Sequence, residues 1–239
     1  MRSKLFLLLS LLLTLPVSAE FLQGDALIAR AKQFASELEP DAHSALTGLE
    51  RTYKVEVKDN KVTVYGHKIW FYPTTASVQN NAYESIYFNQ LNEQLTVLTA
   101  ASITPAGKVN YVNESHQKVI AEDTYNTFTE TEKMIVSFPA VEVGGITLIA
   151  YKIEETLTPE RPFWSIRSYP QQTADMLNYS FEAQWDDSAR LYFDNTSELV
   201  SCEQQPARVF CHAVNLEAAE SDSVVNWGDQ LGQITLSTE

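Results

Sequence analysis

Two cysteines form the most recognisable chemical pair in this chain. Cys202 and Cys211 flank eight residues, with Pro206 near the middle. An antiparallel hairpin folded at that point would bring the two sulfurs together across the strands, which predicts a disulfide in an oxidising compartment. The alternative is a reactive thiol activated by the neighbouring His212. Because adjacent strand residues point to opposite faces, His212 should face away from Cys211, and the disulfide is the favoured interpretation.

The other candidate metal ligands are scattered along the chain. The four histidines lie in separate segments, at His43, His67, His116 and His212. The acidic stretch 186–195 offers oxygen ligands of the kind that calcium prefers, from Asp186, Asp187, Asp194 and Asn195. These residues lack the Asp-x-Asp-x-Asp-Gly spacing of a calcium loop, so a solvated connection between strands is the favoured interpretation. We expect neither a metal nor a cofactor.

The sequence carries none of the common catalytic signatures. Neither G-x-S-x-G nor H-E-x-x-H occurs, and Gly144-Gly145 is typical of a hairpin turn rather than a phosphate loop. Without a nucleophile and a base at a usable spacing, we expect that the protein is not an enzyme.

Aromatic residues offer one further candidate site. Trp70 and Tyr72, or Phe163 and Trp164, would suit a platform that stacks on a sugar or a peptide if they were exposed. Large aromatic side chains of a β-sandwich lie more often in the core. The core is therefore the favoured location, and the platform stays open as the second interpretation.

Composition limits the classes of partner. The chain has 239 residues, 17 basic and 31 acidic, which gives a net charge of −14. Binding to nucleic acid or to an anionic membrane needs clustered Lys and Arg, so the charge argues against both. A hydrophobic fraction of 44% excludes wholesale disorder, and the length suits one large domain or two small ones.

The first nineteen residues are typical of a signal peptide. Arg2 and Lys4 precede an apolar run over residues 5–15, and Val17-Ser18-Ala19 supplies small residues for cleavage. We expect the mature chain to begin at Glu20 and to be periplasmic or secreted, without a membrane span. The sequence also contains three N-x-S/T sites, at Asn113, Asn178 and Asn195, whose glycosylation depends on the source.

The elements that must position these residues change type near residue 44. Apolar residues at helical spacing predict a short amphipathic helix over residues 24–38, closed by Pro40. From about residue 45 the apolar period is two, and Asp59-Asn60 predicts a tight hairpin turn. The apolar phase of the second arm shifts near Gly66, which predicts a β-bulge there.

Short strands dominate the rest of the chain. Further strands are predicted at residues 84–89, 94–104, 109–112, 133–138, 146–155, 176–184, 198–203, 209–215 and 233–237. The strand at 146–155 is apolar on both faces and should be central, whereas the polar stretch 113–131 is expected to be a loop. These elements predict a mainly β fold, an antiparallel β-sandwich with a short N-terminal amphipathic helix. The expected division is 1–19 signal peptide, 20–43 helical segment and 44–239 sandwich domain.

Several of these strands resemble a known family. The stretches 84–88, 95–100 and 103–109, the segment VSFPAVEVG at 136–144 and the strand VFCHAVNL at 209–216 carry the resemblance, and 234–238 resembles the closing edge. In that order they resemble the uncharacterised domain found N-terminal to transglutaminase-like modules in bacterial envelope proteins. The resemblance spans residues 45–239.

The resemblance implies a role beside an enzyme rather than catalysis. A transglutaminase-like module needs a Cys nucleophile, a His base and an Asp orienter, whereas both cysteines here lie in one predicted hairpin. The expected function is a non-enzymatic envelope domain that binds a protein, peptide or glycan. The alternative is the N-terminal part, or a partner, of a transglutaminase-like or protease-like enzyme whose Cys-His-Asp module lies on further sequence or on a neighbouring chain.

Overall fold

The structure is a computed structural model that describes residues 20–39, 43–121, 131–187, 190–219 and 231–238. The predicted signal peptide, residues 1–19, lies outside the described residues. Within them, no helix is both long and apolar enough to cross a membrane.

The described residues are mainly in strands. Two α-helices are present, α1 (Gly24–Glu37) and α2 (Thr75–Asn81), with one 3₁₀ turn at Glu114–His116. The strands are β1 (Thr47–Lys58), β2 (Lys61–Tyr72), β3 (Tyr83–Asn89), β4 (Glu93–Ile103), β5 (Val109–Tyr111), β6 (Gln117–Ala121), β7 (Thr131–Ser137), β8 (Gly145–Thr156), β9 (Ser165–Ser168), β10 (Asp175–Trp185), β11 (Leu191–Asn195), β12 (Ser201–Gln205), β13 (Arg208–Leu216) and β14 (Ile234–Thr238).

The strands form one large sheet and two small ones. The large sheet has eight strands in the order β12-β13-β10-β1-β2-β8-β4-β5, and the small sheets are β11-β14-β9 and β3-β7-β6. Neighbouring strands are antiparallel except for β1 and β10, which are parallel. The expectation of a wholly antiparallel fold is therefore wrong at this pair. Residues 59–174 connect the two strands, which is ample for the crossover that parallel pairing requires.

The first hairpin confirms the predicted turn and corrects the predicted bulge. Asp59 and Asn60 both have positive φ, as the favoured two-residue hairpin turn requires. The pairing of β1 with β2 runs without a shift at Gly66 and shifts instead between Gly48 and Glu50. A Cβ at Gly66 would lie 2.5 Å from Cζ of Tyr151, so this position needs glycine for ring packing rather than for a bulge.

The two faces of the eight-stranded sheet are covered differently. On one face, here called the helix side, α1 packs with Leu27, Ile28, Ala31 and Phe34 against residues of β1, β2, β4 and β8. On the opposite face, here called the sheet side, both small sheets pack. Ile234 and Leu236 of β14 join one buried cluster, and Ile86 and Val136 of β3 and β7 join another.

Strand β8 confirms the prediction of a central strand. It lies between β2 and β4, and its residues Ile146 and Leu148 face α1 while Ile149 and Tyr151 face the small sheet β3-β7-β6. Coverage of both faces explains its nearly continuous apolar sequence. Strand β2 is also covered on both faces. This coverage, rather than the predicted bulge, explains why its apolar phase changes near Gly66.

Other elements differ from the sequence-based expectation. The polar stretch expected to be a loop contains the 3₁₀ turn Glu114–His116 and strand β6 before its undescribed part. The strand expected at 198–203 is β12, Ser201–Gln205. Helix α2 was not predicted and begins with a reciprocal cap, since the Thr74 side chain accepts the Ser77 N–H and the Ser77 hydroxyl accepts the Thr74 N–H.

Candidate functional site

A groove lies on the helix side where α1 stops covering the large sheet. We call it the helix–sheet groove, and its volume is ≈ 620 Å³. One wall is α1, with Ala26, Ala29 and Gln33, and the floor is formed by outward residues of β1, β10 and β13. A groove of this size lies within the range of sites that bind small ligands or peptide segments.

The floor of the groove carries a row of polar side chains. Strand register places Thr52, Ser180 and His212 side by side across β1, β10 and β13. The hydroxyls of Thr52 and Ser180 are 2.9 Å apart and hydrogen-bonded. The His212 ring stacks on Phe210 with centroids 5.6 Å apart. Thr52 is only 3% exposed, Ser180 is half-buried and His212 is exposed, so the Ser180 hydroxyl and the His212 ring are the groups that reach the open part of the groove.

A charged network closes one end of this floor. Arg30 on α1 donates from Nε and Nη2 to Oε2 of Glu50, at 2.9 and 2.8 Å. The buried His67 lies 2.9 Å from Oε1 of Glu50 through Nε2. Its Nδ1 accepts the Leu22 N–H at 3.1 Å, so the ring carries its proton on Nε2 and donates it to Glu50. Burial alone raises the pKa of Glu50, but the hydrogen bonds from His67 and Arg30 outweigh it and hold the pKa below its ordinary value.

The segment before α1 is fixed on the same sheet. The Phe21 ring packs on Tyr65 and His67, with centroids 5.1 and 5.8 Å away. The Gly24 N–H donates to Oγ1 of Thr99 at 2.7 Å. Since Glu20 and Leu22 also line the groove, the start of the expected mature chain forms part of its wall.

The sheet side holds a second polar cluster, and it is enclosed. Arg51, 5% exposed, donates from Nε and Nη2 to the Tyr53 hydroxyl at 3.2 and 2.9 Å, and from Nη1 to the Tyr169 carbonyl at 3.0 Å. Tyr179 donates to Oγ of Ser168 at 2.8 Å, and burial raises its pKa. For Tyr53, burial raises the pKa and the Arg51 guanidinium lowers it, with a net decrease. These contacts tie β9 and the loop after it to the large sheet, so the cluster is structural.

The predicted cysteine pair is confirmed. Cys202 and Cys211 are directly opposite across β12 and β13 and are joined by a disulfide with an S–S distance of 2.12 Å. Cys211 is buried on the sheet side, whereas the exposed His212 faces the groove. The imidazole therefore cannot activate this sulfur.

Three of the four candidate platform residues lie in or against the core, the location that the sequence favoured over the platform. Tyr72 and Trp164 are only 1% and 6% exposed, and Trp70 packs against a buried cluster. Tyr72 also donates its hydroxyl to the Asn81 carbonyl at 2.8 Å. Of the four residues, only Phe163 is largely exposed, at 64%. The four side chains therefore do not form a common exposed surface.

The remaining predicted ligands stay apart. His43 contacts Thr47, His116 accepts the Asn113 N–H, and neither approaches His67 or His212 by a described contact. Asp186 accepts the Asp59 N–H at 3.2 Å and so supports the first hairpin turn. Within the described ranges, no group of three or more His, Cys, Asp or Glu is placed to hold a metal ion.

Sequence reasoning missed the residues that make the groove. Thr52 and Ser180 come from strands that are far apart in the chain and meet through the parallel pairing of β1 with β10. Glu50, also on β1, instead meets Arg30 of α1 and His67 of β2. Sequence reasoning also missed Tyr83 and Tyr87, which are exposed on β3. Their alternation with the buried Ile86 was a usable signal, because residues two apart on a strand share a face.

One similar solved structure supports the fold. A protein from Parabacteroides distasonis ATCC 8503, described as "a putative protease", has a TM-score of 0.71 and 12% identity, covering 82% of this chain and 41% of that chain. An M1 zinc metallopeptidase from Deinococcus radiodurans has 10% identity and covers 81% of this chain and 42% of that chain, with a TM-score of only 0.37. This chain therefore spans less than half the length of either structure, and the first likeness concerns the fold alone.

A match to a family model, rather than to a single protein, shows the family of this chain. No curated protein matches the chain. A family model described as a domain of unknown function with a solved structure, DUF3857, matches residues 58–208. The match runs from the first hairpin turn to the start of β13 and includes the floor residue Ser180. Because it spans well over half of the 239 residues, the chain belongs to the DUF3857 family.

Proposed function

We propose that this chain is an exported β-sandwich domain without catalytic activity of its own, which binds a peptide segment in the helix–sheet groove. The observation that carries the proposal is the groove itself, a space of ≈ 620 Å³ between α1 and the outward residues of β1, β10 and β13. A buried sheet face stabilises a fold, whereas an uncovered groove next to a helix contributes little to stability and suits a ligand.

A peptide fits the chemistry of the lining. Ala26 and Ala29 leave room beside the helix, and the Ser180 hydroxyl and the His212 imidazole on the floor can pair with main-chain N–H and C=O groups. Val214 and Leu22 supply apolar contacts for side chains. The groove thus combines apolar walls with a few polar groups, as peptide and ligand sites commonly do.

Two features support export. The disulfide between Cys202 and Cys211 is of a kind that persists in oxidising compartments and is rare in a reducing cytosol. The leader-like first nineteen residues would deliver the chain to such a compartment. Cleavage before Glu20 would leave an N-terminal segment that lies on the groove wall.

The test uses residues 20–239 and a pool of short capped peptides. We expect peptide addition to shift the amide NMR signals of Thr52, Ser180 and His212. Ala29→Trp should abolish these shifts because the indole would fill the groove. Ala35→Trp is the matched control, since Ala35 is also exposed on α1 but does not line the groove. Shifts that are absent, or that survive Ala29→Trp, would contradict the proposal.

A second candidate function rests on the likeness to the Parabacteroides protein. This chain aligns with 41% of that longer chain at a TM-score of 0.71. The domain would then be the N-terminal part, or a partner, of a protease-like or transglutaminase-like enzyme. Mass spectrometry of the native polypeptide would favour this candidate if it found a chain longer than 239 residues. Peptide hydrolysis or cross-linking by residues 20–239 alone would contradict the non-enzymatic proposal.

A further inference from the structure

The small sheet β3-β7-β6 has an outer surface whose residues belong to none of the buried clusters formed by the described part of the chain. Cross-strand pairing aligns Tyr87, Lys133 and Ile120 in one row, and Ser85, Ile135 and Lys118 in the next. Tyr83 lies one row further along β3. We call this surface the tyrosine–lysine face, defined by Tyr83, Tyr87, Lys118, Ile120, Lys133 and Ile135.

Packing does not explain the tyrosines of this face. Tyr83 and Tyr87 are 52% and 50% exposed. The alternating residues Glu84 and Ile86 point the other way, and Ile86 is buried against Ala100 and Ile149 of the large sheet. Half-exposed rings on a strand whose opposite face supplies the core suit recognition rather than folding.

Charge on this face differs from that of the whole chain. The ten positions that the register places on the outer surface include two lysines and no acidic residue, although the chain has 31 acidic and 17 basic residues. Glu84 and Glu132 alternate onto the opposite surface, and Glu84 pairs there with Lys68 at 2.6 Å. Lys133 Nζ lies 6.0 Å from the centre of the Tyr87 ring, so an aromatic ring and a cation are presented together.

We propose that the tyrosine–lysine face binds a glycan that carries carboxylate groups. Tyrosine rings stack on the apolar faces of sugars, and the two lysine ammonium groups pair with carboxylates. Tyr83 and Tyr87 are four residues apart on one strand, roughly 13 Å, so they contact a chain of sugars rather than a single one.

Sheet geometry favours a glycan over an acidic peptide on this face. An extended peptide gains affinity from main-chain hydrogen bonds at a sheet edge. The tyrosine–lysine face is the flat side of the sheet, and the N–H and C=O groups of its strands point within the plane of the sheet rather than out of this face. A sugar ring needs no such bonds, because its contacts are ring stacking and charge pairing through side chains.

Alginate is a polymer of uronic acids. The test measures the binding of alginate oligomers to residues 20–239 by calorimetry at low salt. We expect Tyr83→Ala/Tyr87→Ala and Lys118→Gln/Lys133→Gln each to reduce affinity about tenfold or more. The aromatic pair Tyr83→Phe/Tyr87→Phe should keep most of the affinity because the stacking surface remains. Thermal unfolding of each variant shows that its fold is intact.

Matched controls lie elsewhere on the molecule. Tyr111→Ala and Lys108→Gln change exposed residues of another sheet and its adjacent turn and should leave affinity unchanged. Ala29→Trp, which fills the groove, should also leave the affinity for alginate unchanged. The groove proposal and the glycan proposal can therefore fail independently of each other.

Four results would overturn the proposal. The first is no alginate binding, and the second is alginate binding that survives the double alanine variant. The third is equal binding of neutral dextran, which would remove the role of charge. The fourth is equal binding of poly-glutamate that is insensitive to Tyr83 and Tyr87, which would assign the face to an acidic polypeptide.

Discussion

The two faces of the eight-stranded sheet use the same strands for different purposes. On the sheet side, alternate residues of β10 and β13 such as Phe181 and Cys211 are fully buried beneath a second sheet. On the helix side, the intervening residues Ser180 and His212 line an open groove. The alternation of side chains along a strand therefore gives one element a buried face in the core and a second face that lines the groove.

Polar residues on the two faces differ in the same way. The Arg30–Glu50–His67 network lies at the groove, and the Arg30 side chain keeps 32% of its exposure. The Arg51–Tyr53 pair on the opposite face is enclosed. The first network can respond to solvent and to a ligand, whereas the second holds packed layers together.

The largest difference in stability between the two faces should come from alanine substitutions of two phenylalanines on neighbouring strands. Phe181→Ala on the sheet side should lower the free energy of unfolding by about 3–5 kcal/mol, because it empties a fully buried site. Phe210→Ala, at the groove, should cost clearly less since solvent can fill the space beside His212. Urea denaturation monitored by circular dichroism measures both. Equal losses would mean that the groove floor is as rigidly packed as the core.

Removal of the disulfide should have the next largest effect. Cys202→Ser/Cys211→Ser should lower the free energy of unfolding by about 2–3 kcal/mol, because the cross-link restricts the unfolded chain. His212→Ser, one residue further on the helix side, is the control and should change it little. Thiol titration of denatured, unreduced wild-type protein should find no free thiol. Two titratable thiols would contradict the bond.

Local features were predictable because nearby residues determine them. The turn at Asp59 and Asn60, the central position of β8 and the bond between Cys202 and Cys211 all follow from residue type, alternation and short spacing. The start of α1 at Gly24 also follows from apolar spacing. In each case the partners are adjacent in sequence or the pattern lies within one element.

Features that depend on distant pairing were not predictable. The groove floor needs β1 beside β10, more than a hundred residues apart, and nothing in either strand specifies that register. The core location favoured for Tyr72 and Trp164 is confirmed, whereas the 64% exposure of Phe163 depends on which layers pack beside it and does not follow from residue type. The polar β6 gives no apolar alternation because it is the edge of a small sheet.

Glu50, on the helix side, should make the free energy of unfolding depend on pH in the acidic range. The folded-state pKa of this carboxyl is below the ordinary value of 4.5, so its ionised form stabilises the fold at neutral pH. That contribution is complete above pH 4.5 and is lost as the pH falls through the lowered pKa. Glu50→Gln should therefore reduce stability at neutral pH by less than disulfide removal and flatten its decline in acid. Denaturation curves from neutral to acidic pH test this, and an unchanged acid profile would contradict it.

Glu93, on the sheet side, should affect the free energy of unfolding in the opposite direction to Glu50, and its effect should be the smallest of those predicted. Burial and then the Glu155 charge raise its pKa against the hydrogen bond at 2.6 Å that it accepts from the Asn89 N–H. Because the folded-state pKa lies above the unfolded value, ionisation of Glu93 opposes folding, and its cost appears as the pH rises through the raised pKa. Glu93→Gln should therefore slightly stabilise the protein at neutral pH and lose that advantage below pH 4.5. The same denaturation series measures it. A destabilised variant at neutral pH would show that the Asn89 hydrogen bond, rather than the paired charges, decides the behaviour of this site.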